Sequence, residues 1–304
     1  MPFHETFRRQ VSLLLRVLPI VAKEDCFALK GGTAINLFVR DLPRLSVDID
    51  LSYVPVQTRD VSLAAIEAAL RRIAQGAIGA MRGVKIAEGR TQTENKVVRL
   101  NIQTQDAQIK IEVTPVLRGC VFEPTLRSVT PKVEDAFGFA EIRVLSLADL
   151  YAGKLVAALD RQHPRDLFDV AELLSNEGID EAMRQAFIVY LLSHNRPMFE
   201  VLRAPRKDIA QEFARGFQGM TEHPVTLGDL LETRESLIRD VVGAMPDAHR
   251  RFLVSFELGV PDWSLLGLPA AAELPAVRWR QQNLNKLTVA ERAALVASLE
   301  DVLS

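Results

Sequence analysis

Lys30-Gly31-Gly32-Thr33 is followed, after one short segment, by Arg44-Leu45-Ser46-Val47-Asp48-Ile49-Asp50-Leu51, which joins a phosphate-sized turn to a pair of carboxylates. Adjacent glycines let the backbone turn tightly and bring its N–H groups close to an anion. Thr33 is predicted to open a helix running to Arg40, whose N-terminal dipole and free amides favour a bound phosphate. From Ser46 to Leu51 polar and apolar residues alternate as on a strand, so Ser46, Asp48 and Asp50 share one face and Val47, Ile49 and Leu51 the other. Two residues of strand set the carboxylates about 6.5–7 Å apart. That spacing suits oxygen ligands converging on Mg²⁺, a hard cation that takes one or two carboxylates plus substrate phosphates. Alone, Gly-Gly before a helix is commonly just a turn, and Asp-x-Asp is commonly a solvated strand face. Here a strand at Cys26–Leu29, the glycines, a helix and an acidic strand follow in order, and this context reads as a site for nucleotidyl transfer.

The stretch KGGTAINLFVRDLPRLSVDIDL resembles the AbiEii/AbiGii family of nucleotidyltransferase-like toxins, which belong to the DNA polymerase beta-type nucleotidyltransferase superfamily and act in type IV toxin–antitoxin systems. Two later segments carry the same resemblance: DLYAGKLVAALDRQHPRDLFDV (Asp149 to Val170) looks like the family's Lys-helix followed by an Arg-Asp helix start, and LPAVRWRQQNLNKL (Leu274 to Leu287) looks like its C-terminal signature. The resemblance implies a nucleoside triphosphate as substrate, one or two Mg²⁺ ions, an RNA acceptor such as the 3′ end of tRNA, and a separately encoded antitoxin. A small-molecule nucleotidyltransferase of the antibiotic-modifying kind, and a non-catalytic nucleotide-binding protein with the same fold, remain alternatives.

With that resemblance stated, further residues take on expected roles. Gln108 to Thr114 alternates again, placing Lys110, Glu112 and Thr114 on one face. Glu112 is the candidate third carboxylate, suited to taking a proton from an attacking hydroxyl; its plainer reading is the outer face of an antiparallel strand. Lys154 stands alone on an otherwise apolar helix, where a lysine either snorkels outward or faces an anion, and the resemblance makes it the triphosphate contact. Asp166, after Pro164 and Arg165, sits at a helix start where an acid ordinarily stabilises the dipole; the resemblance promotes it to the active site, with Arg165 and Asp169 as neighbours. Lys30, Gly31, Gly32, Thr33, Arg44 and Ser46 complete the nucleotide-binding set, with Asp48 and Asp50 as metal ligands. A phosphate placed on Ser46 would add about −2 charge beside the two acids, making it a candidate control point.

Positioning these residues requires an α/β (α+β) N-terminal half and an all-helical C-terminal half, divided near residue 145. An amphipathic helix over about 4–22 precedes the Gly-Gly segment, and 61–78 has helical spacing. Strand-like stretches follow at 84–88, 96–104, 108–116 and 141–145. After Ser146, a good N-cap, the pattern is helical almost throughout, with a stop at Asn176-Glu177-Gly178 and a Thr288/Glu291 capping pair on the last helix. The expected domains are therefore a nucleotidyltransferase domain, 1–145, and a helical domain, 146–304.

Of the 304 residues 48% are hydrophobic and 25% charged, which excludes disorder and allows a substantial core. Cys26 and Cys120 lack the spacing of a disulfide framework or zinc site, so any metal should be held by oxygen. The N-terminal stretch is too polar for a signal peptide and no run of about 18 apolar residues exists, so a cytoplasmic protein with no membrane partner is expected. The net charge of −2 does not advertise nucleic-acid binding. Local basic clusters at Arg8-Arg9, Arg71-Arg72, Arg203 to Lys207 and Arg278 with Arg280 read singly as solvated helix faces.

Overall fold

A computed structural model describes residues 3–304, which fold as two compact units: residues up to 146 together with 218–224, and residues 147–217 with 225–304.

The first unit is a mixed sheet with helices. Helix α1 (Glu5–Val21) buries Val11, Leu14, Leu15, Leu18 and Val21, the recurrent spacing of one helix face. Strand β1 (Phe27–Lys30) leads directly into α2 (Gly31–Ala34), which continues as wider turns through Ile35–Val39. There follow β2 (Asp48–Tyr53), α3 (Arg59–Ala80), β3 (Lys85–Arg90), β4 (Val97–Gln103), β5 (Gln108–Arg118), β6 (Thr125–Ser128), α4 (Pro131–Phe137) and β7 (Glu141–Val144). The seven strands lie in the order β3-β4-β5-β2-β1-β7-β6, with β2 parallel to β5, β1 parallel to β7 and the other pairs antiparallel. Ile49, Leu51, Leu100, Ile102, Ile109, Ile111 and Val113 are buried, and α1 and α3 pack on this part of the sheet. The alternating polar residues are left on its other face.

Two local expectations are corrected. The helix begins at Gly31 rather than Thr33, so the glycines form its first turn. The strand begins at Asp48, so Ser46 precedes the strand instead of sharing its face with Asp48 and Asp50. Strand β6 and helix α4 carry no strong sequence signal: every residue of β6 is exposed, and α4 buries only Val133.

The second unit is helical: α5 (Leu147–Asp160), α6 (Pro164–Asn176), α7 (Glu181–Leu192), α8 (Met198–Arg203), α9 (Ala210–Gly216), α10 (Leu227–Leu237), α11 (Asp247–Glu257), α12 (Pro275–Leu284) and α13 (Val289–Leu303). Helix α5 is buried on nearly all sides and packs on α6, α7, α8 and α10. Gly178, in the left-handed region, ends the turn after α6, and Thr288 and Glu291 form the capping box of α13.

The C-terminal signature has a structural role in this unit. Arg280 on α12 donates through Nη1 to the carbonyls of His194 (3.1 Å) and Arg196 (3.0 Å), and its Nη2 stands 3.8 Å from the buried Glu257 carboxylate. Burial raises Glu257, with Arg280 opposing it, and burial lowers Arg280. Removing one partner of such a pair strands the other charge. Arg280→Ala is therefore expected to cost about 3–5 kcal/mol in the unfolding of this unit, with much of the loss recovered in Arg280→Ala/Glu257→Gln. Calorimetric unfolding matching the parent's would contradict this role.

Candidate active site

The two glycines are fixed by what presses against them. Gly31 has φ +72°, and a Cβ there would stand 2.7 Å from Asp50 Oδ2; a Cβ at Gly32 would stand 2.6 Å from Arg44 Nη2 and 3.0 Å from Ser46 Oγ. Any side chain would collide with three of the candidate residues. Lys30, extended at the end of β1, is in register with Asp50. The turn is tied further by Thr33, whose hydroxyl donates to the Asp48 carbonyl and lies 3.0 Å from Ser46 Oγ. Asn36 Nδ2 donates to the Gly32 carbonyl at 2.9 Å.

Arg44 is 2% exposed, and its Nη1 donates to the Leu45 carbonyl at 2.9 Å. Its backbone is held by the segment 218–224, which forms a bridge between Arg44 and Thr221, a Leu45 N–H bond to the Met220 carbonyl (2.8 Å) and a Glu222 N–H bond to the Pro43 carbonyl (3.1 Å). A Lys132–Glu222 ion pair fastens the same segment to α4. This explains why seven residues from the middle of the helical half belong to the first unit.

Sheet register sets the charged groups in rows. Lys30 on β1, Asp50 on β2, Glu112 on β5 and Arg99 on β4 are successive cross-strand neighbours; one step along, Asp48, Lys110 and Asn101 form a second row. Side chains of paired residues project to the same face. Lys30 Nζ donates to Thr114 Oγ1 at 3.0 Å, and Lys110 Nζ to Glu112 Oε2 at 2.7 Å. Burial lowers the Lys30 ammonium, opposed by the charges of Asp50 and Glu112. For Lys110 burial also pulls down, but the Glu112 hydrogen bond and the charges of Asp48, Glu112 and Asp50 outweigh it, and the net shift is upward.

In the second unit Lys154 does not snorkel. It is 7% exposed, and its Nζ lies 2.8 Å from Asp166 Oδ1 and 3.0 Å from Asp169 Oδ2. Arg161 Nε reaches Asp166 Oδ2 at 2.5 Å. Burial would raise Asp166, but Lys154 and Arg161 together hold it well below the usual carboxylate range. Asp166 opens α6 behind the His163 cap, as the sequence indicated. Arg161 was missed because it lies just past the end of α5, outside any helical periodicity.

Among the described residues no group of three or more His, Cys, Asp and Glu is gathered to hold a metal unaided. Asp48 and Asp50, both half-buried, offer two carboxylates on one strand face. That is the donor set of a hard cation completing its shell with water and substrate phosphate, so the residues fit Mg²⁺.

The family model described as nucleotidyl transferase AbiEii toxin, type IV toxin–antitoxin system, matches residues 12–283. No curated protein matches the chain. Among solved structures, MenT4, a nucleotidyltransferase toxin from Mycobacterium tuberculosis H37Rv, aligns with a TM-score of 0.55 at 16% identity, covering 98% of this chain and 92% of that one. At that identity the likeness speaks for the fold.

Two outcomes follow from this geometry. Gly31→Ala forces a left-handed residue and pushes on the Asp50 carboxylate; it should cost about 1–2 kcal/mol of stability and impair any chemistry that uses Asp50 far more than the fold. Activity equal to the parent's would remove Asp50 from the site. In the second unit, Asp166 ionises more readily folded than unfolded, where carboxyls of its type titrate near pH 3.9. Its contribution is thus full above about pH 4 and lost as the pH falls further. Asp166→Asn should flatten the fall in thermal midpoint between about pH 4 and pH 2, and an unchanged acid limb would contradict the assignment.

Proposed function

The chain belongs to the AbiEii nucleotidyltransferase toxin family, and from that premise we propose that it transfers a nucleoside monophosphate from a nucleoside triphosphate to an RNA hydroxyl, that of the 3′ end of tRNA, in a Mg²⁺-dependent reaction. The observation that carries this reading is the packing of Gly31 and Gly32 against Asp50, Arg44 and Ser46. It sets the glycine turn and the carboxylate strand side by side.

In this mechanism the triphosphate lies along the amides of Gly31, Gly32 and Thr33, with Lys30 and Arg44 supplying positive charge. Asp48 and Asp50 would hold one or two Mg²⁺ ions, which when bound neutralise phosphate charge and stabilise the entering and leaving oxygens. Glu112 keeps Oε2 on Lys110 and offers Oε1 to the acceptor hydroxyl, taking its proton as the hydroxyl oxygen attacks the α-phosphorus and pyrophosphate leaves. Residues 1–145, joined by the brace 218–224, form the nucleotidyltransferase domain and the rest of residues 146–304 a helical domain, in which Lys154 serves as a phosphate-binding cation and Asp166 as the acid that orients it.

A tRNA extended at its 3′ end is no longer charged, so translation and growth stop in the cytoplasm until a cognate antitoxin intervenes. No described helix is long and apolar enough to cross a membrane. The antitoxin acts by binding the chain or by modifying it at Ser46, where a phosphate would set negative charge against the Gly32–Thr33 turn.

The test is incubation with each α-labelled nucleoside triphosphate, Mg²⁺ and total cellular RNA. Labelled RNA is expected from the parent, with a loss of at least about a hundredfold in Asp48→Ala and Asp50→Ala and little change in fold. Expression of the parent in a bacterium should arrest growth, and Asp48→Ala should restore it at equal protein level. Arrest by a soluble, folded Asp48→Ala protein would mean that toxicity is not chemistry. Transfer to a small acceptor but not to RNA would favour the antibiotic-modifying reading.

A further inference from the structure

The face of the sheet that carries Asp48, Asp50 and Glu112 continues past them. By register it takes in Gln108, Lys110 and Glu112 on β5, Arg99, Asn101 and Gln103 on β4, and Lys85, Ala87 and Gly89 on β3. The opposite face carries Leu100, Ile102, Ile109 and Ile111, all buried. On the open face Lys85, Ala87, Arg99, Gln103 and Gln108 are exposed, and the rest half-buried.

The polar groups here are largely unspent. Neighbouring cations of the first unit are paired off: Arg59 with Glu94, Arg71 and Lys96 with Glu67, Arg72 with Glu24, Arg90 with Glu88. Among the described residues neither Lys85 nor Arg99 has a carboxylate partner, and the amides of Asn101 and Gln103 make no hydrogen bond. Arg99 is the cross-strand neighbour of Glu112, whose Oε2 is held by Lys110, yet it makes no ion pair with that carboxylate. Its guanidinium lies across β3 instead, where a Cβ at Gly89 would stand 2.5 Å from Arg99 Nε. The missing side chain at Gly89 gives the guanidinium a flat seat.

From this arrangement we infer that the open face of β3, β4 and β5 is the seat of the acceptor RNA strand, holding the sugar-phosphate backbone of the nucleotides just before the reacting hydroxyl. The inference rests on the RNA reading above and specifies where that acceptor lies. Two strand spacings put Arg99 about 10 Å from Asp50, and four residues of strand make the platform about 13 Å long, room for the last few nucleotides. Cations and amide donors suit phosphate oxygens and 2′-hydroxyls. No aromatic side chain lies on these positions, so bases find no stacking surface and the face reads backbone rather than sequence.

The test uses the full chain with Lys85→Gln, Arg99→Gln and the double variant; both sites are solvent-exposed and make no bond that folding needs. Binding of a fluorescent single-stranded oligoribonucleotide is followed by anisotropy over a range of salt concentrations. Each lost cation should weaken binding severalfold and lower the log–log salt slope by roughly 0.7, while triphosphate affinity without RNA is unchanged and Arg99→Lys restores the slope. If the parent labels RNA but the double variant keeps its RNA affinity and slope, this face is not the acceptor seat. If the parent neither labels nor binds RNA, the RNA reading itself falls, and this inference with it.

Discussion

No space exists for a side chain at residues 31 and 32, and the first unit is organised around that exclusion. Gly31 sits against the Asp50 carboxylate and Gly32 against Arg44 and Ser46, so the helix N-terminus, a metal-type carboxylate and a buried guanidinium occupy one small volume. Close backbone approach of this kind is what only glycine permits. The opposing charges meet without a side chain between them, and an anion can approach backbone amides on one side and a cation the carboxylates on the other.

Keeping such charges at a sheet surface needs a rigid frame, and strand register supplies it. Lys30, Asp50, Glu112 and Arg99 come from four strands that pair in succession, so their relative places are set by backbone hydrogen bonds rather than by side-chain contacts. Segment 218–224 adds a brace from distant sequence by bonding the backbone on both sides of Arg44. The second unit deals with charge differently. Lys154, Asp166 and Asp169 are enclosed together, where desolvation makes the partners depend on one another.

Much of this was legible in the residues. The alternation around Asp48 to Leu51 and Gln108 to Thr114 identified the strands and their polar faces, and the helix start at Asp166 and the Thr288 cap were readable because helix-end chemistry is local. The family was readable from ordered motifs spread over the chain. What was not legible depended on distant partners. The helix start at Gly31 and the strand start at Asp48 are set by tertiary packing, the brace at 218–224 has no periodic pattern, and exposed β6 buries nothing that would mark it. Arg161's ion pair and the capture of Glu112 by Lys110 likewise depend on side-chain reach, which spacing alone does not give.

The central claim is that the glycine turn and the Asp48/Asp50 strand are one site, so that phosphate and metal bind as partners. Calorimetric affinity for a non-hydrolysable nucleoside triphosphate, measured with Mg²⁺ and with chelator, tests this most directly in the parent and in Asp48→Asn/Asp50→Asn. Coupling of binding equilibria is reciprocal, so Mg²⁺ should tighten the triphosphate by roughly tenfold or more in the parent, and that gain should vanish in the double variant. An equal Mg²⁺ gain in both proteins would contradict the account.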